Sequence, residues 1–85
     1  MGANEQSSEL MRMLDAEESL KLRGFKASCG PTGGVIIDRW NHVRGVWHFH
    51  EGNFYWTPAG YNEPIYRTED ILRARQYSID VICKA

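Results

Sequence analysis

Between Gly34 and Pro58 the chain reads GVIIDRWNHVRGVWHFHEGNFYWTP, and this stretch restricts the fold more than any other. β-Branched and aromatic residues alternate in it with polar ones, the two-residue period of strands that bury one face. It also holds all three tryptophans and all three histidines of the sequence. Read with that period, Val35, Ile37 and Arg39 point one way from a first strand, and Ile36, Asp38 and Trp40 point the other. Asn41 to Gly45 supplies a reversal. In a second strand Val46, His48 and His50 share a face, opposite Trp47 and Phe49. Glu51-Gly52-Asn53 makes a tight hairpin turn, with glycine where a positive φ is required. A third strand sets Phe54 and Trp56 against Tyr55 and Thr57. It ends at Pro58, which has no amide hydrogen to give to a ladder. The expectation over residues 34–58 is a three-stranded antiparallel meander.

Helical signals flank the meander. Residues 1–6 are polar and are expected to fray. Over residues 7–23, Ser7 or Ser8 can cap a helix whose apolar positions Leu10, Met13, Leu14 and Leu20 keep a 3.6-residue stripe, and Gly24 suits its left-handed end. Asp15 with Glu18 also fits a capping box, which allows a break into two shorter helices. Ser28 to Gly34, SCGPTGG, reads as a loop. It lacks the lysine of a phosphate-binding loop and leads into a strand where such a loop leads into a helix. Ala59 to Pro64 is a second loop, after which Ile65 and Tyr66 allow a short fourth strand. Thr68 then caps a helix over residues 68–83 with the stripe Ile71, Leu72, Ser78, Ile79 and Ile82, although the β-branched run at its end also suits a strand. The fold class is therefore α+β, a single small domain over residues 1–85 with an N-terminal helix, the meander, and a C-terminal helix packed on the sheet.

At 85 residues one modest core is all the chain can build, and a homodimer or a permanent partner would support it. The net charge of −1 gives no overall pull toward nucleic acid or membrane, yet the charge is laid out in blocks. Residues 1–20 carry five acids against one arginine, and residues 21–50 carry five basic residues against one acid. No run approaches the roughly 20 apolar residues of a membrane span. The two cysteines, Cys29 and Cys83, with no apolar leader, suggest free thiols in a reducing cytoplasm. The opening MGANEQS has Gln6 where a myristoylation signal requires serine or threonine.

No catalytic, nucleotide or metal signature stands out. His48 and His50, two apart on a strand, could share a metal with His42 or Cys29, but no further ligand spacing supports them, so no metal and no cofactor is expected. Cys29 with a histidine base is the corresponding nucleophile candidate. The aromatic content points elsewhere. A sheet covered on one side should be polar on the other, yet Trp40, Trp47, Phe49, Tyr55 and Trp56 crowd adjacent strands, so some rings are expected on the open side. With Tyr61 in the loop beyond Pro58, they form the candidate contact surface of a non-enzymatic interaction module, a regulator or inhibitor docking on a larger protein or on its own copy, the build of small phage and mobile-element proteins. The alternative is nucleic-acid binding. Arg39, His42, Arg44 and His48 interleave with tryptophans as in surfaces that stack bases and touch phosphates. The meander followed by Thr68 to Ala74, TEDILRA, resembles in pattern the sheet-plus-helix DNA-binding domains of integrase arms and plant AP2 proteins, but it matches no diagnostic motif and lacks their basic charge.

Overall fold

Leu10 and Leu14, one helical turn apart, are sealed from solvent and fix which way the N-terminal helix faces. The computed structural model, which describes residues 3–84, starts that helix, α1, at Ala3 and runs it to Asp15. Residues 3–6 are thus helical where fraying was expected, while Met1 and Gly2 lie outside the described residues. Ser7 is not a cap. It sits in the second turn, buried on the same stripe as Leu10 and Leu14. The 7–23 helix is broken, as the capping-box reading allowed, but the residue at the start of α2 (Glu18–Leu22) is Glu17, in extended conformation. The bend drops Leu20 into the core, and Gly24, at φ 87°, ends the turn.

The sheet has five antiparallel strands in sequence order, not three. They are β1 (Phe25–Cys29), β2 (Val35–Arg39), β3 (His42–His50), β4 (Asn53–Pro58) and β5 (Tyr66–Thr68). The expected meander is its centre. The reversal expected over Asn41 to Gly45 resolves into two features. Trp40 and Asn41, at φ 50° and 69°, form a two-residue hairpin turn. The register then slips, with Ile37 opposite Gly45 and Asp38 opposite Val43, so that Arg44 is the extra residue of a β-bulge. A Cβ at Gly45 would come within 2.5 Å of the Thr57 carbonyl oxygen and 2.7 Å of the Trp56 ring, so only glycine lets these strands close around that indole.

After β5, Thr68 Oγ1 accepts from the Asp70 amide at 3.1 Å, and Asp70 Oδ1 accepts from the Leu72 amide at 2.9 Å. Asp70, not Thr68, is therefore the cap of α3 (Ile71–Tyr77). The β-branched tail stays helical but widens into a π-helical turn over Ser78–Ile82, closed by the Cys83 amide on the Ser78 carbonyl at 2.8 Å.

All the helices lie on one face. Leu10, Leu14, Leu20, Ala74 and Cys83 from that layer meet Val35, Ile37, Trp47, Phe54 and Trp56 from the sheet. Trp47 is the centre of the core. Its ring meets those of Phe54, Tyr66 and Tyr77 edge-on at 6.4, 6.1 and 6.0 Å, and its Nε1–H donates to Ser78 Oγ at 2.9 Å. The two ends of the chain are tied together by Arg75 to Glu17 at 2.6 Å and by Arg23 Nη1 to the Cys83 carbonyl at 3.0 Å.

Candidate interaction surface

The alternation read from the sequence holds, but it puts most of the rings on the covered face. Trp47 pairs with Trp56, and Phe49 with Phe54, across the β3–β4 hairpin. Trp47 and Trp56 are 1% and 3% exposed, so neither can be the contact residue expected of it. Phe49 is half-buried against the core, its ring 4.7 Å from that of Phe54. The physical reason is register. Once the Glu51-Gly52 turn is set, four rings fall on one face, and burying them there removes the most apolar area from water.

The other face is bare of helices among the described residues. Across it run the row Ser28, Ile36, Val46 and Thr57 and the row His48, Tyr55 and Arg67, each defined by strand pairing. Ile36, Val46, His48, Tyr55 and Thr57 are all partly exposed. Between the β1–β2 turn and the loop after β4 this face forms a shallow groove of about 370 Å³, with Ile36, Val43, Val46, His48, Thr57 and Tyr61 around it. Val43 and Tyr61 remain 54% and 60% exposed. Tyr61 lines this groove, and Tyr55 lies on the same face between His48 and Arg67, outside the groove. Ile36, Val43 and Val46 are the residues whose exposure on this face sequence reasoning missed, since an aliphatic residue in a strand reads first as core. The signal was present: with Val35, Ile37 and Trp47 turned inward, their neighbours must turn out.

The remaining candidates, His48 apart, occupy the two ends of the sheet. Trp40, 67% exposed, caps the β2–β3 turn, with the Arg39 guanidinium 4.2 Å from its ring centroid. Arg39 also lies over the Phe25 ring at 4.9 Å, and its Nε–H donates to the Arg23 carbonyl at 2.9 Å. Arg44 reaches the same Phe25 ring at 5.9 Å, and His42, opposite Arg39 in the strand pairing, is exposed. His48 stands apart from this group, in the groove. His50 is at the far end of β3, 3.8 Å from Glu51.

The structure separates the metal and nucleophile candidates. Among the described residues no three of His, Cys, Asp or Glu come together in a way that could hold an ion. Cys29 lies on the covered face, its Sγ 3.5 Å from Met11 Sδ, so the sheet stands between it and His48. Both thiols are free. Burial pushes the Cys83 thiol up to about 11, against the opposing pull of the Arg23, Arg44 and Arg39 charges. No helix among the described residues is long and apolar enough to cross a membrane. Compared with known proteins, the chain matches no family model, and it has no significant match among curated proteins or among solved structures.

Proposed function

We propose that the protein is a non-enzymatic interaction module, a regulator or inhibitor that docks on a larger protein through the bare face of its sheet. One observation carries this reading. An aliphatic groove formed by Ile36, Val43 and Val46, edged by Tyr61, lies open on a five-stranded sheet whose other face already takes all the helices. Apolar surface of this kind, rimmed by polar groups, is what a partner removes from water. Here the polar edge is His48, Thr57 and Thr32.

The test is Val46→Arg, which places a charge in the middle of the groove while pointing away from the core. Native protein and variant are used as bait in host lysate, with nuclease present, and retained proteins are read by mass spectrometry. A partner held by the native protein and lost by the variant, with unchanged circular dichroism and melting, is the expected result. Equal capture by both would remove the groove from the reading. Sedimentation of the two proteins at micromolar concentration separates a larger partner from a second copy, since only self-association would make the native protein heavier than Val46→Arg.

A further inference from the structure

We infer that the β2–β3 end of the molecule, built from Arg39, Trp40, His42 and Arg44, is a binding site for single-stranded nucleic acid, with Trp40 as the platform for a base and the two arginines as phosphate contacts. This site adjoins the docking surface at Val43 but uses different side chains, and neither reading depends on the other.

Trp40 supplies the first observation. With positive φ at both central positions, this two-residue turn has the type I′ pattern, which glycine and asparagine adopt readily and a bulky side chain adopts only under strain. Trp40 does so at φ 50° while remaining 67% exposed, so the strain brings no burial to offset it. What it does achieve is a fixed ring. The indole lies against Gly24, where a Cβ would come within 2.2 Å of Nε1, and carries the Arg39 guanidinium on its surface.

The second observation is charge without partners. Four ion pairs occur among the described residues, and none includes Arg23, Arg39 or Arg44. Arg39 and Arg44 both lie over the Phe25 ring, at 4.9 and 5.9 Å, and Arg39 Nε–H donates to the Arg23 carbonyl, which gathers the three at one end of the molecule. A purely structural role accounts for Arg23, whose guanidinium donates to the Cys83 carbonyl at a helix C-terminus where a cation is favoured. It does not account for Arg44, on a bulge, or for the terminal nitrogens of Arg39, which have no acceptor among the described residues. Flat cationic groups held over rings beside an exposed indole suit a nucleotide, whose base stacks and whose phosphate accepts from the guanidinium fork. A duplex hides its bases from such a platform, so a single strand is the ligand.

The test is fluorescence anisotropy with a fluorescein-labelled oligothymidylate of about 15 nucleotides. Binding is expected to weaken with salt, with a slope of log K on log salt of about −1.4 to −2, as two or three phosphate contacts give on a single strand. Trp40→Gly removes the platform and the strain together. It is expected to melt at the same temperature as the native protein or higher, and to bind about tenfold more weakly. Arg44→Ala should weaken binding severalfold. Arg73→Ala removes the same charge at the opposite end of the sheet, beside Asn53 and Arg67, and should leave binding unchanged. Equal binding by Trp40→Gly, equal loss in Arg73→Ala and Arg44→Ala, or a duplex bound as tightly as the single strand would each overturn the site.

Discussion

Two tryptophans seven positions apart, Trp40 and Trp47, have opposite fates because one sits at a turn and the other at the middle of the central strand. Trp47 touches four aromatic rings, and its indole N–H is satisfied by Ser78, whose own hydroxyl donates to the Ala74 carbonyl at 2.8 Å. Replacing it by alanine leaves a cavity and strands the Ser78 acceptor. The expected cost is about 3–5 kcal/mol, a large part of what an 85-residue domain has to lose, read as a shift in the urea midpoint. A loss under about 1 kcal/mol would mean that this ring is not the centre of the core. Cys83 offers a test of burial through pH. Its thiol ionises near 9.0 when unfolded and is held up to about 11 in the fold, so between these values the unfolded chain binds fewer protons than the native one. Stability present below pH 9 is therefore lost as pH rises, by something of order 2 kcal/mol at pH 11. The Tyr77 hydroxyl, raised by burial and by Tyr66, adds to the loss in the same sense. Chemical denaturation of native protein and Cys83→Ala across that range should show the shallower decline in the variant. Parallel curves would mean that the thiol is not shielded.

At the level of elements, the central meander was legible because alternation survives in β2, β3 and β4 with turn residues between them. β1 was not. Its sequence, FKASC, offers one large apolar residue in five, and its pairing with β2 depends on a glycine turn whose Gly30 amide bonds to the Gly34 carbonyl at 2.7 Å, a closure that no local periodicity announces. β5 is three residues long, and its place is decided by Trp56 and Phe54 across the sheet. The helix caps moved for a related reason: Thr68 and Asp70 are both competent, and the chain uses one to position the other. For the candidate surface, the period-two reading grouped the strand side chains by face, but it set Trp40 with Ile36 and Asp38 on a strand that ends at Arg39, one residue before the turn. Which face the helices would take followed from pairing Trp47 with Trp56 and Phe49 with Phe54, a step that the turn at Glu51-Gly52 already implied.

Seen whole, the molecule is a strand meander in which every pairing joins sequence neighbours, closed by contacts between its two ends. Neighbour pairings cost little loop entropy, whereas joining Glu17 to Arg75 or Arg23 to Cys83 encloses most of the chain. The two classes of contact should therefore form at different times. The meander, with Trp47 at its middle, belongs to the folding transition state, and the end-to-end ties close after it. Arg75→Ala tests this order directly. The pair is partly buried and well aligned, so its loss should cost about 1 kcal/mol. That cost should fall on the unfolding rate, which rises about fivefold, while the refolding rate stays within about 20% of native. Stopped-flow fluorescence of the core indoles measures both limbs. A refolding rate that falls by the full amount, with unfolding unchanged, would show that the chain ends meet first and that the sheet is assembled around them.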